Sequence, residues 1–294
     1  MNDWLIRGRV WTNDPARPEA EAVRIVGARG VEVGDLRELQ ANAAGSTLLD
    51  AGDGLVLPGL VDAHVHLAAH GRALASFDCR GDASFLAMVG RLLVYARAHP
   101  HGWLFGRGWD QVSWGLARMP DASMLDALFP GRPVFLTRVD GHAALANKAA
   151  LRLANALDFP EKVDGGEFRH GPDGKPDGLL VDLAMNVVES VIPAPTRVEL
   201  EQWILAAARE LVSLGLTSAH DAMVDAAMDA AFVSLASSRA LPLHVYGLAD
   251  LSTDAGLPLV TQGTRPLRNR YEMRAIKLFA DGALGSRGAQ LFTP

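Results

Sequence analysis

Gly54-Leu55-Val56-Leu57-Pro58-Gly59-Leu60-Val61-Asp62-Ala63-His64-Val65-His66 is the stretch around which this 294-residue chain is organised. It reads as a turn, a buried strand and two histidines at the strand's end. Successive side chains on a strand point to opposite faces, so Leu60, Asp62, His64 and His66 share one face while Val61, Ala63 and Val65 share the other. Two imidazoles presented side by side suit one metal ion. A single histidine among apolar neighbours is more often a hydrogen-bonded core residue. A His-x-His pair with Asp62 on the same face is harder to explain as packing.

Composition narrows the partners. Hydrophobic residues make up 49% of the chain and charged residues 21%, as in a soluble globular protein with a large core. The formal net charge is -6 and there is no Lys/Arg cluster, which argues against nucleic acid and against an anionic membrane surface. A small neutral or uncharged substrate stays open. Cys79 is the only cysteine, so there is no internal disulfide framework, and a reducing compartment is expected. Met1-Asn2-Asp3-Trp4-Leu5-Ile6-Arg7-Gly8 has no apolar signal core, and no run approaches the ~18 apolar residues of a membrane span. The expected location is cytoplasmic.

Working outward from the histidine strand, residues 4–57 alternate short strands (4–11, 22–26, 30–33, 47–50) with glycine turns, which predicts a small antiparallel β-unit. After His66, Asp82 is a candidate cap for a helix carrying Phe85, Leu86, Val89, Leu92 and Leu93 and ended by His99-Pro100. Strands are expected at 103–107 and 133–138, an Ala/Leu helix at 143–157, and a hairpin of 167–169 with 178–180 about Pro172-Asp173-Gly174. Thr196-Arg197-Val198-Glu199 is a capping-box pattern for a helix to about Leu214. Strands at 215–221, 243–248 and 273–280, with a helix at 223–239, complete the pattern. Strands alternating with helices imply a parallel sheet, and eight such units close a (β/α)₈ barrel; four are countable here.

The run from Leu57 to His66 resembles the first barrel strand of the amidohydrolase superfamily of metal-dependent hydrolases, with proline, glycine, aspartate and both histidines in the expected order. Lys277-Leu278-Phe279-Ala280-Asp281-Gly282-Ala283-Leu284-Gly285-Ser286-Arg287 resembles the subgroup that includes N-substituted formamide deformylases. Gly108-Trp109-Asp110, Arg138-Val139-Asp140-Gly141-His142-Ala143, Asp164-Gly165-Gly166-Glu167 and Gly215-Leu216-Thr217-Ser218-Ala219-His220-Asp221 recur in that order in the same subgroup. The resemblance implies an α/β fold holding the first half of a (β/α)₈ TIM-type barrel. It places an N-terminal β-sandwich part at 1–57, the barrel at 58–294, and a long α+β insertion at about 68–195.

It also implies a chemistry, hydrolysis of an amide or other C–N bond of a small molecule by metal-activated water. The implied cofactor is one or two divalent ions, zinc by default for nitrogen and oxygen ligands. His64 and His66 are two expected ligands. Lys277, on the fourth strand, is the third, since this family commonly carboxylates the lysine there and so turns a cation into an anionic oxygen ligand. From the residue alone, a lysine whose stem is buried and whose head reaches solvent explains position 277 equally well. Arg138, Asp140 and His142 alternate along a strand end and could line a substrate pocket or form a structural ion pair. Trp109, Asp110, His220 and Asp281 join them as candidate substrate contacts. His70, His99, His101, His170 and His244 lack partners at ligand spacing. Neither a phosphate loop nor a Gly-x-Ser-x-Gly elbow occurs. The family's fifth- and sixth-strand histidines and its final-strand aspartate, the general acid/base, have no counterpart in this sequence. The alternative to a hydrolase is therefore a noncatalytic half-barrel remnant or interaction module that self-associates or needs a complementing C-terminal half.

Overall fold

The computed structural model describes residues 3–27, 29–251 and 254–280, arranged in three sheets. The first has the order β3-β2-β1-β4 and comprises β1 (Asp3–Trp11), β2 (Glu19–Val26), β3 (Arg29–Gly34) and β4 (Thr47–Val56). Helix α1 (Leu36–Asn42) places Leu39 over Leu5 and Ala22. This unit departs from the antiparallel expectation, because β4 runs parallel to β1. The helical crossover between β3 and β4 makes this possible, since a parallel pair needs a long connection.

The histidine strand follows as β5 (Leu60–Val65), leading directly into α2 (Leu67–Ala75). The chain then builds the second sheet, ordered β10-β11-β12-β9-β8-β7-β6. Its elements are β6 (Phe77–Asp78), α3 (Phe85–Ala98), β7 (Leu104–Trp109), α4 (Ser123–Leu128), β8 (Val134–Arg138), β9 (Ala143–Ala146), α5 (Lys148–Leu153), β10 (Lys162–Val163), β11 (Gly166–His170), β12 (Pro176–Asp182) and α6 (Ala184–Glu189). Both faces are covered. Leu136, Ala143 and Leu145 pack with Met88, Leu92 and Leu104 on one side, while Phe135, Ala144 and Ala146 pack with Leu151, Phe168 and Leu180 on the other.

Two local expectations are corrected here. Residues 143–146 form a strand rather than the start of an Ala/Leu helix. A strand buried on both faces shows no polar alternation, so its pattern cannot be told from a short helix. The cap of α3 is Ser84, whose hydroxyl accepts from the Ala87 N–H, while Asp82 pairs with Arg91. The hairpin about residues 172–174 forms as expected between β11 and β12.

The third sheet has the order β15-β16-β14-β13-β5. Its members are α7 (Arg197–Ser213), β13 (Leu216–Val224), α8 (Ala226–Ser237), β14 (His244–Asp250), α9 (Leu257–Gln262), β15 (Arg265–Arg268) and β16 (Tyr271–Lys277), with the helices packed on the strands. The strands β5, β13, β14 and β16 are mutually parallel, and the short β15 turns back antiparallel onto the start of β16. At the head of α7 the capping box is complete. The Thr196 hydroxyl accepts from the Glu199 N–H, and the Glu199 carboxylate accepts from the Thr196 N–H at 2.8 Å. Leu200, Ile204, Ala207, Ala208 and Leu211 then recur at helical spacing and are buried against Leu67, Ala219 and Val245. Helix α8 starts later than the apolar pattern suggests, because β13 continues to Val224 and Asp225 caps the helix through the Met228 N–H. No helix among the described residues is long and apolar enough to cross a membrane.

Candidate metal centre

All four parallel strands run the same way, so their C-terminal ends lie on one side of the sheet. In parallel α/β structures this side carries the active site. Strand β5 ends at Val65 and His66 occupies the N-cap position of α2. The His64 and His66 rings lie 5.4 Å apart between centroids at an interplanar angle of 83°, so both imidazoles emerge on one face as strand alternation requires.

His66 Nδ1 is buried and has no hydrogen-bond partner among the described residues. Leaving a buried nitrogen unpaired costs about 1–3 kcal/mol, and an ion is one of the few things that explain such an atom in a native fold. Burial first, then the positive charges of His64 and Lys277, lower the His66 pKa, while Asp250 pulls it the other way. The net direction favours neutral imidazole, the form that coordinates metals.

Lys277 closes β16 with its Cα in register with Asp250, the last residue of β14. Its ammonium lies 4.9 Å from the centre of the Phe279 ring. Asp250 is buried, and it is the residue of this cluster that sequence reading misses. The apolar pattern ends that strand at Leu248, whereas an acidic residue directly after an apolar run is the available signal. No group of three His, Cys, Asp or Glu side chains gathers at metal-binding distance among the described residues. The donor set present is His64 and His66, with Lys277 and Asp250 in electrostatic reach.

Beside this cluster, the His220 ring lies 5.0 Å from that of Tyr246 on the adjacent strand. Asp221 is fully buried, and its carboxylate accepts from the Leu67 N–H at 3.1 Å and the Met223 N–H at 3.3 Å. It thereby holds the first residue after His66 against β13. Burial pushes its pKa up to about 6. The folded chain therefore keeps the proton that the unfolded chain has already released, and this group's share of the stability falls as pH rises from about 4 to about 6. The expected size is on the order of 2–3 kcal/mol. Urea denaturation of wild type and Asp221→Asn across pH 4–7 should show their stability difference moving in favour of the variant as pH rises. A pH-independent difference would refute it.

The remaining expected contacts lie on the second sheet. Trp109 is a correction: its ring is fully buried and its indole N–H donates to the Leu136 carbonyl at 2.7 Å, so it belongs to the core. The Arg138 guanidinium donates to Asp110 at 3.2 Å, to Gln111 at 2.9 Å and to Asp140, so its fork is occupied by protein partners. His142 is exposed at the start of β9, and its Nδ1 lies 2.9 Å from Asp182 Oδ1. Asp281 lies outside the described residues. Cys79 is buried, and burial pushes its thiol up to about 12, which leaves no thiolate for nucleophilic chemistry at neutral pH.

The profile of the amidohydrolase family matches residues 47–294. The protein LONG AFTER FAR-RED 3 of Arabidopsis thaliana is 29% identical over 303 residues, covering 98% of this chain and 52% of that protein. An N-substituted formamide deformylase of Arthrobacter pascens is 28% identical over 306 residues, covering 96% of this chain and 55% of that enzyme. Among solved structures, an uncharacterized metal-dependent hydrolase from Pyrococcus horikoshii superposes with a TM-score of 0.79 at 24% identity, covering 100% of this chain and 58% of that one. The chain thus spans somewhat over half the length of these proteins.

Proposed function

The chain belongs to the amidohydrolase family, and from that premise we propose that it supplies the first half of a metal-dependent hydrolase acting on an amide or other C–N bond of a small molecule. The observation that carries this reading is the paired His64/His66 rings at the end of β5, with a buried His66 nitrogen that no described residue satisfies. In this reading residues 1–57 are part of a β-sandwich, and β5, β13, β14 and β16 are the first four strands of a (β/α)₈ barrel. Residues at about 68–195 are an insertion between the first two of those strands.

His64 and His66 would hold the metal as neutral imidazoles, with zinc the first choice for such donors. Lys277 would join them once carboxylated, which replaces a repelling ammonium with an anionic oxygen donor. A divalent ion bound there supplies a Lewis acid that polarises a carbonyl and lowers the pKa of water. Asp221 fixes the turn that carries His66, and Asp250 offers a negative charge beside Lys277. His220, which lies within β13, and Asp281 are the proposed substrate contacts. Asp110, Arg138, Asp140 and His142 form a charged rim on the insertion, with Trp109 as the packed support beneath it.

The test is metal content. Purified chain titrated with zinc chloride should bind saturably by calorimetry, and His64→Ala combined with His66→Ala should weaken binding at least roughly a hundredfold. Binding that survives the double substitution would sink the assignment. Intact mass should show Lys277 carrying an added CO₂, and Lys277→Ala should lose both that mass and part of the affinity.

One observation favours the companion reading, a partner that completes the structure. Leu60 and Val61 on β5 are 52% and 50% exposed, and Ile276 at the end of β16 is 49% exposed. β5 is an edge strand of the third sheet, and β15 pairs with β16 only as far as Met273, so apolar strand edge is left that favours pairing with further strands. A complementing C-terminal half or a second copy of the chain is the occupant proposed, and catalysis would depend on it.

A further inference from the structure

A groove separate from the histidine pair runs along the outer side of α2, between that helix, the second sheet and the proline-bounded connection at 192–195 that leads into α7. It has two contiguous lobes of about 470 and 360 Å³, which share Arg72, Ser76, Phe105 and that connection. Arg72 sits at the junction. Its guanidinium carbon lies 4.7 Å from the centre of the Phe105 ring and 5.8 Å from that of Trp203. Trp103 stacks on Phe105 with the rings nearly parallel at 2° and 5.8 Å apart.

What distinguishes Arg72 is the use made of its guanidinium. Among the described residues it makes no hydrogen bond and no ion pair, although it is half-buried. An arginine stacked between aromatic faces keeps its planar N–H edge free, and that edge matches a carboxylate with two parallel hydrogen bonds. The other charges nearby do not neutralise it. The Glu199 carboxylate is occupied by Thr196 in the capping box. Glu189 and Arg107 are exposed opposite charges on the rim of one lobe.

We propose that this groove binds a small planar aromatic carboxylate, with the carboxylate on the Arg72 fork and the ring against Phe105 and the neighbouring tryptophans. The site stands independently of the metal reading, since none of these residues belongs to that cluster. It does share α2 with it, the helix that begins immediately after His66.

Benzoate is the probe, titrated into the metal-free 294-residue chain while tryptophan fluorescence is recorded. Saturable quenching is expected. Arg72→Gln should weaken it roughly tenfold or more, with an unchanged melting temperature. Benzamide, which has the same shape without the charge, should bind the wild-type chain more weakly by a similar factor. The His64→Ala/His66→Ala chain should bind benzoate like wild type, which separates this site from the metal centre. Absence of saturation, equal binding of benzoate and benzamide, or loss of binding in the histidine variant would each overturn the proposal. If Arg72→Gln fails to fold, the benzoate and benzamide comparison on the unaltered chain decides alone.

Discussion

Asn147→Ala will destabilise the chain by about 3–5 kcal/mol, read as a fall in the urea midpoint at unchanged slope. Asn147 is fully buried between β9 and α5, and its side chain makes four hydrogen bonds, all to backbone. Oδ1 accepts from the Val134 N–H at 2.9 Å and from the Ala150 N–H at 3.1 Å. Nδ2 donates to the Phe129 and Arg132 carbonyls, both at 2.9 Å. One amide thus caps α5, closes the start of β8 and ties down the loop after α4.

Alanine removes all four partners and leaves the backbone groups buried, so the cost is far above the roughly 1 kcal/mol of an ordinary lost cap. Asn147→Asp is the sharper variant. It keeps the two acceptor interactions, loses both donors and buries a charge, so it should be at least as damaging at neutral pH. A loss below about 1 kcal/mol in both variants would mean that the network does not exist in solution.

The same residue shows what could be read from the sequence. Its neighbours 143–146 are alanine and leucine buried on both faces of a seven-stranded sheet. Local propensity favours helix there, and tertiary burial overrides it. Where local chemistry dominates, expectation and structure agree. The Thr196/Glu199 capping box opens α7, the Asp173-Gly174 turn joins β11 to β12, and the alternation in residues 60–66 brings both histidine rings to one face. The parallel pairing of β1 with β4 and the position of Asp250 beside Lys277 depend on register between distant segments, which no local period encodes. Arg138 shows the limit in another form. Its alternation with Asp140 is visible in the sequence, but the additional hold by Asp110 and Gln111 appears only once β7 and β8 pair.

Gly71→Ala should have an effect of comparable size through backbone rather than side chain. A Cβ at position 71 would stand 1.8 Å from the Trp203 carbonyl oxygen, where real Cβ atoms essentially never come under 3.0 Å. Both groups belong to helices, α2 and α7, so no rotamer relieves the clash and the helices must part by roughly 1 Å. That separation opens the core in which Leu67 and Ala68 meet Leu200 and Ile204, and a loss of about 3 kcal/mol or more follows. Because α2 starts at the residue after His66, the shift also moves one of the two proposed ligands, so zinc affinity should fall together with the urea midpoint. Gly90→Ala is the control. This glycine is exposed inside α3 with nothing within 4 Å of the added methyl, and the substitution should stabilise by about 0.5–1 kcal/mol with zinc binding unchanged. A Gly71→Ala chain as stable as wild type would show that α2 and α7 do not pack this closely, and would remove the support on which the placement of His66 rests.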